Sequence, residues 1–90
     1  MPTIKFTANL KRFYPELKEI ELESLDLNEI LDQLESKFKG VKDYVVDEQG
    51  QLRKHVNIFI GDELIQDRIK LSDAVKPTDE IYIMQALSGG

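Results

Sequence analysis

A single apolar stripe at helical spacing limits what this chain can fold into. Leu27, Ile30, Leu31, Leu34 and Phe38 fall on one face of a helix, while Asp32, Gln33, Glu35 and Lys37 fall on the other. The boundaries are equally marked. Asp26 is placed to cap the first turn with its carboxylate. Glu29, three residues on, completes a capping-box pattern, and Leu25 with Ile30 has the spacing of a hydrophobic staple. Gly40 is placed to end the helix in a left-handed conformation. One such helix buries its stripe only if something flat covers it.

The flanking segments supply strands. Thr3 to Ala8 alternates, with Ile4, Phe6 and Ala8 on one side and Thr3, Lys5 and Thr7 on the other. Residues 9–15 read as a turn region, with Leu10, Phe13 and Tyr14 as local packing, before a second strand around Glu19 to Glu23. After the helix, residues 42–51 are polar apart from Tyr44, Val45 and Val46 and include a turn at Asp47-Glu48-Gln49-Gly50. Leu52 to Ile60 reads as a strand, with Val56, Ile58 and Ile60 on one face and His55, Asn57 and Phe59 on the other. A turn at Gly61-Asp62-Glu63 leads to a short strand at Leu64-Ile65. Leu71 and Val75 pack an irregular stretch, and Lys76-Pro77-Thr78-Asp79 is a further turn. Glu80 to Gln85 is the last strand, with Ile81 and Ile83 opposite Tyr82 and Met84. One helix crossing a mixed sheet of about five strands buries the stripe. The expected class is therefore α+β. The first and last strands lie parallel at the centre, as in a β-grasp domain.

Composition narrows the function. Twelve basic residues against 17 acidic give a net charge of -5, which opposes binding to nucleic-acid phosphates. With no cysteine, thiolate metal sites, disulfides and thiol nucleophiles are excluded. The N-terminus has no pattern of a cleaved leader, and no apolar run approaches membrane-spanning length, so a cytoplasmic protein is expected. The one histidine, His55, sits mid-strand and reads as a surface or rim residue. Asp62, Glu63 and Asp67 cluster in sequence, and a polar turn accounts for them as well as a metal site does. No metal site, bound cofactor or catalytic constellation of the chain's own is expected.

Two features remain. Asn57, Phe59, Tyr82 and Met84 point away from the helix, and Leu87 continues the same strand direction, so this outer face reads as a docking surface beside the C-terminus. The chain then ends Ser88-Gly89-Gly90. Two glycines make the thinnest peptide end available. Residues 1–85 are expected to form one domain and residues 86–90 a free tail, which spans about 17 Å when extended. That length suffices to carry the Gly90 carboxylate into another protein's active site.

The whole chain resembles the ubiquitin-like sulfur carriers. These include the small subunit of molybdopterin synthase, the thiamine-pathway carrier and the carrier of a thiocarboxylate route to cysteine. The likeness rests on Leu52-Arg53-Lys54-His55-Val56-Asn57-Ile58-Phe59-Ile60, the Gly61-Asp62-Glu63 turn, Leu71-Ser72-Asp73-Ala74-Val75, and Pro77-Thr78-Asp79-Glu80-Ile81-Tyr82-Ile83 ahead of Ala86-Leu87-Ser88-Gly89-Gly90. Molybdopterin-synthase small subunits commonly carry a Pro-Pro pair where this chain has Gln85 and Ala86. The end here looks more like that of the cysteine-route carriers.

The resemblance implies that a partner enzyme uses ATP to adenylate the Gly90 carboxylate. A sulfur source then converts the adenylate to a thiocarboxylate, which a synthase consumes. Gly90 would be the reacting residue, and Ser88 and Gly89 would thread the tail. Phe59, Tyr82, Met84 and Leu87 would anchor partners, with acidic residues steering towards basic surfaces. The free carrier is expected to be a monomer. Two other readings stay open: a protein modifier joined through Gly90 to lysines, and a non-covalent interaction module.

Overall fold

The computed structural model describes residues 1–13 and 15–85. In chain order the elements are β1 (Thr3–Phe6), α1 (Ala8–Phe13), β2 (Ile20–Glu21), α2 (Leu27–Lys37), α3 (Val41–Val45), β3 (Val56–Ile60), β4 (Glu63–Leu64) and β5 (Glu80–Gln85). The strands form one sheet in the order β2-β1-β5-β3-β4. β1 and β5 pair in parallel at the centre, with Ile4 opposite Ile81 and Phe6 opposite Ile83. β3 runs antiparallel on the other side of β5, with Ile58 opposite Ile83. This is the expected β-grasp arrangement.

The core lies between α2 and one face of this sheet. Leu27, Ile30, Leu31 and Leu34 are all buried, as are Ile4, Ile58, Ile81 and Ile83 from the strands. Phe38 closes one edge, its ring set edge-on to that of Phe6 at 6.4 Å between centroids. Asp26 caps α2 as expected, accepting a hydrogen bond from the Asn28 N–H at 2.8 Å. The second half of the cap differs from the expected box. Glu29 accepts from Ser24 Oγ (2.9 Å), and Ser24 Oγ accepts from the Asp26 N–H (3.1 Å). The Ser24 hydroxyl thus relays what a direct Glu29 contact would have done. Leu25, the outer member of the expected staple, is 47% exposed.

Several expectations are corrected by packing that is not periodic. The alternation from Thr3 does not continue to Ala8. The strand ends at Phe6, and the expected turn at 9–15 contains α1, with Leu10 buried and the Lys11 N–H bonded to the Thr7 carbonyl. Its basic last turn, Lys11 and Arg12, complements the negative end of the helix dipole. The expected packing of Tyr14 and of the Phe13 side chain lies outside the described residues. The second strand shrinks to Ile20–Glu21, and the fourth moves back by one residue to Glu63–Leu64, leaving Ile65 buried.

The polar segment after α2 also holds a helix. Gly40 is left-handed, with φ at +91°, but it lies two residues beyond the Phe38 C-cap and turns the chain into α3. Glu35, placed by the helical pattern on the polar face, reaches across to cap α3. Its carboxylate accepts from the Gly40 N–H at 2.7 Å and the Lys42 N–H at 2.9 Å. These two bonds, Gly40 first, hold its carboxyl below the usual glutamate value. Leu52 makes only a single bridge with Val46, and the long strand expected from Leu52 begins at Val56. β3 then turns tightly into β4 through Gly61 and Asp62, with Gly61 at φ +63°, where a two-residue hairpin turn takes glycine.

Candidate functional site

The strand register assembles the outer face. Phe59 of β3 stands directly opposite Tyr82 of β5, and Asn57 opposite Met84. All four are half-buried. Side chains directly opposite one another on neighbouring strands share a face. The structure therefore places Phe59, Tyr82 and Met84 on one face of the sheet, as the alternation predicts. Leu87, Ser88, Gly89 and Gly90 lie outside the described residues; their last described neighbour is Gln85, opposite Val56.

Two members of this face were not anticipated. Leu64 of β4 lies opposite Phe59 and is 47% exposed, which extends the apolar surface to the sheet edge. Lys5 of β1 lies opposite Tyr82, and its ammonium sits 5.4 Å from the centre of the tyrosine ring. Lys5 also reaches Glu80 at 3.1 Å and Glu19 at 3.8 Å. The Glu80 contact, then the Tyr82 hydroxyl, raises the Lys5 pKa above the usual lysine value. One row thus crosses four strands: Lys5, Tyr82, Phe59, Leu64. Its lysine end is charged and its Leu64 end is greasy.

Arg68 braces the next row. Its guanidinium donates to Asn57 Oδ1 at 3.0 Å, to the Arg53 carbonyl at 2.6 Å and to the Val56 carbonyl at 2.9 Å. Charge-assisted bonds of this kind are stronger than neutral ones. They fasten the turn before β3 to the irregular segment after β4, at the end of the sheet where β5 finishes. His55 lies in that turn and is exposed, just ahead of the strand rather than within it.

The acidic cluster has a structural task. Asp67 accepts from Ser72 Oγ and from the N–H groups of Ile69, Lys70 and Ser72. Asp73 holds the Gln66 and Asp67 N–H groups in the same loop. This network supports Leu71, which is buried in the left-handed region at φ +55°. Among the described residues, no three His, Cys, Asp or Glu side chains converge as metal ligands would.

The Asp67 contacts, led by Ser72 Oγ, lower its pKa from 3.8 to about 2. A carboxyl depressed on folding contributes stability that is complete above its ordinary value. That contribution is lost as pH falls from 3.8 through about 2. In an NMR titration of the side-chain carboxyls, Asp67 is expected to show its midpoint near 2. Ser72→Ala is expected to move it back towards 3.8. A midpoint near 3.8 in the unaltered chain would remove the loop-anchoring role.

Among the described residues no helix is long and apolar enough to cross a membrane. The sequence model of the ThiS family matches residues 4–90. "Sulfur carrier protein CysO" of Mycobacterium tuberculosis is 29% identical over 66 residues, covering 71% of this chain and 71% of its own. A chain of the Amycolatopsis orientalis BexX/CysO complex superposes with a TM-score of 0.83 at 28% identity, over 100% of both chains. Small archaeal modifier protein 1 of Methanosarcina acetivorans superposes at 0.78 with 25% identity, over 99% of this chain and 95% of its own.

Proposed function

We infer, from the premise that this chain belongs to the ThiS family of ubiquitin-like sulfur carriers, that Gly90 carries the sulfur as a thiocarboxylate. The observation that supports this most is the match itself. It runs to residue 90 and so takes in the Gly89-Gly90 end together with the folded body. The CysO relatives agree with the resemblance of Ala86-Leu87-Ser88-Gly89-Gly90 to the cysteine-route carriers.

The chemistry follows from the weakness of a carboxylate as an electrophile. A Gly90 carboxylate oxygen attacks the α-phosphorus of ATP on a partner enzyme, and pyrophosphate leaves. Hydrosulfide then attacks the carbonyl carbon of the acyl-adenylate. The carbon–oxygen bond to AMP breaks, a proton is lost, and a thiocarboxylate remains. Glycine places no side chain beside the reacting carbon. The chain contributes no catalytic group and binds no cofactor of its own; it acts as co-substrate, with Ser88 and Gly89 threading the partner's channel. A sulfur-accepting synthase then takes the sulfur. The carrier acts in the cytoplasm as a monomer when free.

The test is the intact mass of the chain after incubation with its adenylating enzyme, ATP and sulfide. The expected gain equals the replacement of one oxygen by sulfur, and no gain with the cognate enzyme defeats the proposal. Phe59, Tyr82, Met84 and Leu87 anchor the partner in this scheme. Phe59→Ala is expected to weaken that complex by about tenfold, the scale of an aromatic anchor at an interface centre. Isothermal calorimetry measures it, with an unchanged circular dichroism spectrum as the folding control.

The likeness to an archaeal modifier favours a second reading, in which the same adenylate is passed to lysines of target proteins. Peptides bearing a Gly-Gly remnant on lysine, recovered from the native cell, would distinguish it.

A further inference from the structure

The net charge of -5 points to a basic partner, yet the fold does not spread that charge evenly. β5 runs from Glu80 to Gln85, and β1 runs beside it in the same direction. Acidic groups gather where these strands begin. Asp79 precedes β5, Asp62 and Glu63 turn the adjacent hairpin, and Glu21 lies opposite Thr3.

The other end, where the chain leaves β5 for Gly90, is different. Gln85 faces Val56, which follows Lys54 and His55. On the opposite side the Thr7 N–H bonds to the Ile83 carbonyl, and β1 passes into α1, which lies against β5. Lys11 and Arg12 in its last turn are exposed, as is Lys54. None of these three takes part in an ion pair among the described residues.

One carboxylate near this end, that of Asp47, is committed to its own turn. Asp47 accepts from the Gln49 and Gln51 N–H groups. Glu48 shares a hollow with Arg53.

We propose that Lys11, Arg12 and Lys54 form a cationic collar at the root of the C-terminal segment, and that it seats on an acidic rim around the opening of the adenylating enzyme's active site. The proposal rests on the function proposed above. A carrier that delivers Gly90 into a channel must press this end of its sheet against the enzyme. The charges that meet the partner are then these cations, while the acidic end points away to solvent. Complementary rim charges set orientation and partner choice, and like charges brought together at a rim are penalised. The expected partner surface is therefore the opposite of the one that net charge alone suggests.

Three full-length variants test this: K11E/R12E, K54E, and D62K/E63K, which reverses two charges at the far end. The readout is ATP–pyrophosphate exchange by the adenylating enzyme of the same organism, as a function of carrier concentration. K11E/R12E is expected to raise KM for the carrier by about tenfold or more with kcat little changed, the pattern of lost binding rather than lost chemistry. K54E is expected to move KM in the same direction. D62K/E63K is expected to leave KM within about twofold of the unaltered chain, since its charges lie outside the contact.

If the unaltered chain exchanges and all three variants match it, the collar is wrong and the adenylation on which the carrier function rests stands. An equal loss in D62K/E63K also overturns the collar, because it would reflect whole-molecule charge. If the unaltered chain gives no exchange, the carrier function fails and the collar falls with it. A thermal melt of each variant guards against misfolding, and K54E carries the test alone should K11E/R12E not fold.

Discussion

Removing Gly89 and Gly90 is expected to abolish the gain of sulfur and the ATP–pyrophosphate exchange while leaving the thermal midpoint unchanged. In the proposed chemistry the reacting carbon is the last one in the chain. Its position in the partner's site is set by how far the chain extends beyond Gln85. Each residue of extended chain spans about 3.3–3.6 Å. Misplacing a reacting atom by about 1 Å can already cost on the order of 100-fold. A chain ending at Ser88 is short by two such steps and ends on a residue with a side chain. Deleting Gly90 alone separates the two effects. That variant still ends in glycine, so a loss of at least about 100-fold assigns the requirement to reach. Retained exchange would instead assign it to the small terminal residue. The domain itself should not register either deletion, because the core among the described residues runs from Ile4 to Ile83. Exchange that survives removal of both glycines would end the covalent role of the C-terminus and leave the non-covalent reading.

The parts of this fold legible in the sequence are those with a repeating period or a local cap. Glu80 to Gln85 alternates over its full length, and the strand has those bounds. The α2 stripe and the Asp26 cap were visible for the same reason. The short helices were not. α1 and α3 each span barely more than a turn, too short for a 3.6-residue period to show. α3 also depends on Glu35, whose carboxylate comes from the preceding helix. The outer face was legible as a set of alternating residues, Phe59, Tyr82 and Met84. Its extent was not, because Leu64 sits in a strand of two residues, where alternation carries no information. Arg68 could not be found from sequence at all. Its acceptors include main-chain carbonyls 12 and 15 residues away, which no side-chain pattern encodes. The functional readings of Ser88, Gly89 and Gly90 rest on composition and resemblance, since those residues lie outside the described part of the chain.

The same strand that leads to Gly90 also carries the position where truncation should cost most. Ile83 is 1% exposed and stands opposite Phe6 on β1 and Ile58 on β3. Its neighbours are held by ladders on both sides, so they cannot close in on a cavity as a surface loop could. Ile83→Ala is therefore expected to lose about 2–5 kcal/mol, the range for truncating a large aliphatic core residue. Whole domains are stable by only about 5–15 kcal/mol, and a short chain falls towards the low end. The variant should be visibly destabilised, with a thermal midpoint lower by roughly 10 °C or more. Urea denaturation at constant slope measures the loss directly. A loss under about 1 kcal/mol would mean that the sheet collapses around the missing atoms and that the core is less rigid than its ladders imply. The comparison with the tail deletion is the informative one. Ile83→Ala should lower stability yet retain exchange wherever the chain is folded, whereas the deletion should keep stability and lose exchange. A chain whose body and reacting end have separate tasks gives both results.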